Sequence, residues 1–281
     1  MKSLLGERDV DRRSFVVTAL GAGFALAVLP VAAQTITTST EGLVAGEVTV
    51  PTKDGVMPAY RAMPATGGNF PVVLVVQEVF GVHEHIKDIC RRLAKAGYFA
   101  IAPELYARQG DPSKYTDIPK LMSEIVTKVP DAQVMGDFDA CVAYARGTGK
   151  AETTRLGITG FCWGGRVALM YAAHNPKVKA AVSWYGATAR VYAAGDRTPL
   201  DVAPQIRAAV LGLYGGADEG IPADTVEKMF TAMKAAGNTR VEYTIYPDTP
   251  HAFNADYRPS YRKQRAEDAW NKMIAWFKLN L

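Results

Sequence analysis

Cysteine is scarce in this chain, with three residues, Cys90, Cys141 and Cys162, among 281. So small and odd a number excludes a disulfide framework and leaves at least one thiol unpaired within a monomer. No C-x-x-C pair occurs, which removes the simplest redox-active dithiol. Histidine is nearly as sparse, at four residues. His83-Glu84-His85 lacks the i, i+4 spacing that aligns two histidines on one helix face, so it does not read as a metal site. A strong charge of one sign is also missing: the formal net charge is +4 and the basic residues are spread along the chain, which leaves no nucleic-acid footprint. No internal repeat and no dividing linker appears. The length is enough to bury a large core without metal or disulfide, as one α/β domain with an appendage.

The appendage is N-terminal. Arg12-Arg13-Ser14-Phe15 precedes an uncharged apolar stretch over residues 16–29, and Pro30-Val31-Ala32-Ala33 offers small residues for cleavage after Ala33. The arginine pair resembles a twin-arginine signal, the bacterial address for proteins exported already folded. The expectation is a signal peptide at 1–33, a loose leader at 34–42, one domain at 43–281 and a periplasmic location. The apolar run is near the lower limit for a membrane span, so retention as an uncleaved anchor is the alternative.

Within the domain, residues 43–50 and 57–62 alternate as two strands joined by a turn at Lys53-Asp54-Gly55. Continuous apolar runs at 71–76, 98–102, 155–159, 179–184 and 208–214 read as strands buried on both faces, with a last strand at 241–246. Helical spacing is expected at 85–96, 117–128, 131–146, 166–173, 223–236 and 261–279. Alternating strands and helices imply a mostly parallel central sheet with helices on both faces. The irregular stretch 185–204 is a candidate wall of a site. Cys90 and Cys141 sit on apolar helix faces as core residues, and His174 at a helix end as a dipole partner.

One strand stops at Gly160-Phe161-Cys162-Trp163-Gly164-Gly165 and turns at once into a helix. That is the nucleophile-elbow pattern with Cys in place of Ser; its glycines let a sharp turn pack against its neighbours, and the helix start favours a thiolate. A thiol needs a base, and the base an orienting carboxylate. His251 follows the last strand and Asp218 the one before it, at strand ends where catalytic groups of such sheets collect. The order nucleophile, acid, histidine is that of the α/β-hydrolases. Glu78 and the 106–108 region also lie at strand ends; Glu78 reads alternatively as a carboxylate capping the next helix.

Gln77-Glu78-Val79-Phe80-Gly81, Glu104-Leu105-Tyr106-Ala107-Arg108-Gln109, the Cys162 elbow, Gly215-Gly216-Ala217-Asp218 and His251-Ala252-Phe253 together resemble the dienelactone hydrolase (carboxymethylenebutenolidase) family, from about residue 44 to the C-terminus. The resemblance implies an α/β-hydrolase fold and a Cys162–His251–Asp218 triad that cleaves an ester or lactone through a thioester, with no cofactor. It further implies Glu78 as the carboxylate that contacts the resting thiol, and the backbone N–H groups of Val79 and Trp163 as the oxyanion hole. Phe80, Tyr106, Trp184 and Tyr185 are candidate pocket residues, the last three alternatively core. Of two substrate-carboxylate arginines in the family, one corresponds to Arg108, for which a surface cation is the alternative. Where the other belongs, this chain has Asn254-Ala255-Asp256, with Arg258 displaced, which reads against an anionic ligand. The expected partner is a small-molecule ester or lactone, and the expected state a monomer or small homo-oligomer. A catalytically silent binding protein on the same fold is the competing reading.

Overall fold

The computed structural model of the protein describes residues 36–192 and 195–281; the expected signal, residues 1–33, lies outside the described residues. Eight strands form one sheet in the order β1-β2-β4-β3-β5-β6-β7-β8. The antiparallel hairpin of β1 (Leu43–Thr52) and β2 (Gly55–Pro64) forms one edge, turning through Thr52 to Gly55. β2 pairs antiparallel with β4 (Phe99–Pro103). From β4 onward, β3 (Phe70–Val76), β5 (Ala151–Phe161), β6 (Val178–Trp184), β7 (Ala209–Gly215) and β8 (Val241–Tyr246) run parallel.

Successive side chains of a strand point to opposite faces. Val72 to Val76 are nevertheless all fully buried, as are all residues of β4 and β7, so the centre of the sheet is covered on both sides. The covering helices are α1 (Glu84–Lys95), α2 (Ile118–Glu124), α3 (Asp131–Gly147), α4 (Trp163–His174), a short α5 (Pro199–Val202), α6 (Ala223–Ala235) and α7 (Lys263–Asn280). No helix among the described residues is long and apolar enough to cross a membrane.

Two expectations change. The helix expected over 117–128 stops at Glu124, and Val126–Lys128 continues as a 3₁₀ turn. The leader, expected to be loose, lies against the domain over its described part. Ile36 N–H donates to Asp256 at 2.9 Å, Thr38 N–H to Asp88 at 2.5 Å, and Lys95 donates to the Glu41 carbonyl at 2.5 Å.

Candidate active site

β5 ends at Phe161, Cys162 follows, and α4 begins at Trp163. Cys162 takes φ 58° and ψ −118°, a conformation L-residues rarely adopt and one that persists only when surroundings over-determine it. Those surroundings are backbone. The Cys162 N–H donates to the Trp184 carbonyl at 3.0 Å. A Cβ at Gly160 would collide with the Gly164 carbonyl, one at Gly164 with the Val76 and Gln77 carbonyls, and one at Gly165 would stand 2.6 Å from the Trp184 carbonyl. The elbow therefore packs flush against the end of β3, from which Glu78 and Val79 continue. Below it, Arg166 is fully buried and grips Asp131, the first residue of α3, through two bonds of 2.6 and 2.7 Å.

Asp218 and His251 come from the loops after β7 and β8, which are laced together. Gly216 N–H reaches the Tyr246 carbonyl at 2.7 Å and Ala217 N–H the Thr249 carbonyl at 3.0 Å. Asp218 Oδ1 accepts from Gly220 N–H at 3.0 Å, and Oδ2 lies 2.5 Å from His251 Nδ1. With Nδ1–H donated to the carboxylate, Nε2 is the nitrogen left for the thiol, whose charge the His251 imidazole feels. Burial works against the imidazolium, but the charges of Cys162 and Asp218 and the bond to Asp218 outweigh it and push His251 up to about 10. At neutral pH the arrangement holds a proton on the histidine beside the sulfur.

Glu78 is fully buried. Burial favours its neutral form, yet the Arg258 charge and the His83 bond win and hold the carboxyl well below its usual range. Its Oε2 accepts from Tyr257 O–H and lies 3.2 Å from His83 Nε2. Oε1 is buried without a hydrogen-bond partner among the described residues. Burial outweighs the pull of Glu78 on His83 and keeps that imidazole below its ordinary value, hence neutral. Arg258 is 7% exposed, its guanidinium 4.8 Å from the Phe80 ring centre and 5.3 Å from that of Tyr257. Besides Tyr257 and Glu78, it feels the charge of Cys162. Tyr185 is fully buried with its ring edge-on to His251 at 5.1 Å, and its hydroxyl senses Glu78, Arg258 and Cys162. Burial raises Tyr106, Tyr185 and Tyr257 well above the usual phenol range, so all three stay neutral donors.

Cys162, His251, Asp218, Glu78, Tyr106, Tyr185 and Phe80 are thus linked by the contacts above and by the Cys162 charge felt at Tyr106 and Tyr185, and Trp163 opens α4 directly after the sulfur. The structure places two other candidates elsewhere. Arg108 is bidentate to Asp137 at 2.9 Å through both bonds and reaches Asp54 in the β1–β2 turn at 2.8 Å; it is a tie between helix and hairpin and does not turn to the site. The fully buried Trp184 ring packs on Phe161 and Phe253 as core, and only its carbonyl serves the elbow. In the stretch 254–258, Asp256 pairs with His85 Nδ1 at 2.9 Å, and the buried Arg258 feels the charges of Tyr257, Glu78 and Cys162. Sequence reasoning also missed Tyr257 and His83; their signal was position, on the loop of His251 and five residues after Glu78. Among the described residues no cluster of three or more His, Cys, Asp or Glu side chains could hold a metal ion.

The chain has clear relatives among known proteins. The model of the dienelactone hydrolase family matches residues 57–281. A Methylorubrum extorquens protein provisionally named carboxymethylenebutenolidase is 61% identical over 280 residues, covering 99% of this chain and 96% of its own. An Escherichia coli K12 protein of the same provisional name is 52% identical over 265 residues, covering 94% and 97%. The crystal structure of a Klebsiella pneumoniae protein provisionally described as a dienelactone hydrolase superposes with a TM-score of 0.81 at 54% identity, over 84% of this chain and 98% of that one.

Proposed function

The chain belongs to the dienelactone hydrolase family of α/β-hydrolases, and from that premise we propose that it hydrolyses a carboxylic ester or lactone with Cys162 as nucleophile, His251 as acid–base and Asp218 as the group that orients His251. The observation that carries the reading is His251, hydrogen-bonded through Nδ1 to Asp218 and within the electrostatic reach of a cysteine on a strained strand-to-helix turn.

The Cys162 thiolate attacks the carbonyl carbon, forming a C–S bond and moving an electron pair onto oxygen. The N–H groups of Val79 and Trp163 receive that oxyanion; Trp163 is the first residue of α4, where backbone donors have no helical acceptor. Collapse breaks the C–O bond, and the leaving oxygen takes the proton of His251. In a lactone that oxygen stays tethered to the acyl group. Neutral His251 then removes a proton from water as it attacks the thioester, collapse breaks the C–S bond to restore the thiolate–imidazolium pair, and the released carboxylic acid gives its proton to solvent. Glu78, bonded to Tyr257 and His83, orders the buried wall of the site. Arg258, between Phe80 and Tyr257, faces the anionic end of a carboxylated substrate.

The test is p-nitrophenyl acetate turnover with mass spectrometry of the protein. The expected result is an acyl adduct on Cys162 and loss of roughly four orders of magnitude or more in Cys162→Ala and His251→Ala. Full activity in either variant overturns the triad, and absence of turnover in the wild type supports a silent binding protein. We also propose periplasmic export by Arg12-Arg13; a reporter fused to residues 1–42 should lose export when both arginines become lysine, and unchanged export refutes the assignment.

A further inference from the structure

The geometry points to residues 36–41 as a strap that positions Tyr257 and Arg258 against Glu78 and Cys162 by completing the bonding of Asp256. The inference rests on the reading above in one respect, that Arg258 faces the nucleophile. Asp256 immediately precedes the two residues concerned. It is 8% exposed, and its oxygens are divided between α1 and the leader: Oδ1 to His85 Nδ1 at 2.9 Å, Oδ2 to Ile36 N–H at 2.9 Å and to Arg92 at 3.5 Å. The fully buried Asp88 repeats the pattern, with Oδ2 2.6 Å from Arg92 Nε and Oδ1 2.5 Å from Thr38 N–H. Two buried carboxylates on the back of the site thus each take one donor from the leader. A buried carboxylate short of a donor moves toward another or toward water.

Movement at Asp256 reaches the site through one residue. The Tyr257 ring lies 5.5 Å from His85 and 4.9 Å from His83, its hydroxyl donates to Glu78, and the Arg258 guanidinium stacks on it at 5.3 Å. His83 and His85, the pair without metal-ligand spacing, are the two ends of this clamp: His83 holds the site carboxylate, and His85 the loop carboxylate behind it. Asp256 is therefore a positioning residue, and the leader its third support.

The bond from Ile36 comes from the backbone, so a proline removes it and an alanine does not. Ile36 itself is 45% exposed, and neither change disturbs the core. In the full chain, Cys162 is alkylated with iodoacetate and with iodoacetamide, and the ratio of the two rates reads the local charge at the sulfur independently of any hydrolase assay. Melting curves confirm that each variant is folded. The wild type should favour iodoacetate relative to Arg258→Gln. Ile36→Pro and Asp256→Ala should lower the ratio by about threefold to tenfold, roughly the net weight of one ordinary hydrogen bond. Ile36→Ala, which keeps the backbone donor, should leave it near the wild-type value. A wild-type ratio that depends on Arg258 but not on Ile36→Pro overturns the strap alone. A wild-type ratio no higher than that of Arg258→Gln overturns the strap together with the anion-facing reading of the site.

Discussion

Arg108 and Arg258 are chemically identical side chains with opposite assignments, and burial and partners decide between them. Arg108 has two carboxylate partners and a 25% exposed side chain. Arg108→Ala should cost about 1–2 kcal/mol in a urea titration and leave kcat/KM for any ester unchanged. Arg258→Gln should lower kcat/KM for carboxylated lactones by about 10²-fold or more and for neutral ones far less; equal losses on both would remove the anion-binding role. The pH response of folding belongs to His251. Its proton is held up to about pH 10 in the folded chain and to about 6.5 in the unfolded one. The native state therefore binds more protons in that window, and stability falls as pH rises through it. The contribution is complete below about pH 6.5 and gone above about 10. Urea midpoints of wild type and His251→Gln should accordingly converge as pH rises from 6.5 to 10; a constant difference would refute the linkage.

At the scale of elements, the turn between β5 and α4 is held by direct backbone contact. Gly164→Ala would press a methyl into the Val76 and Gln77 carbonyls, which belong to the sheet and cannot swing aside as a side chain could. Such an insertion should cost at least about 3 kcal/mol, read as a drop in thermal midpoint of roughly 6 °C or more; a midpoint within 1–2 °C of wild type would mean that the elbow is looser than described. The same contact explains why the elbow was legible in the sequence. Its glycines answer to a local steric demand that recurs wherever a strand turns into a helix in this way. Strands β3 to β7 were equally legible because burial on both faces writes a continuous apolar run. Arg258 was not. It lies on an irregular loop whose path depends on Asp256 meeting His85, 171 positions away in the chain. Arg108 was misplaced for the same reason, since its anchors Asp54 and Asp137 are both remote in sequence. The leader read as loose because its hold on the domain is through backbone N–H and carbonyl groups, which no residue type announces.

For the molecule as a whole, the cysteine distribution has a quantitative consequence. Cys90 and Cys141 are fully exposed to neither solvent nor reagent: both are completely buried, and burial pushes both thiols far above their usual range. Cys162, at 5% exposure, is the one thiol of the three with any surface open to solvent. A disulfide dye such as dithiodipyridine should therefore titrate one equivalent per folded chain and three after unfolding in guanidinium. The first number counts competent sites and the second counts chains, so their ratio is an assay of the active fraction in any preparation, obtainable before a single natural substrate is known.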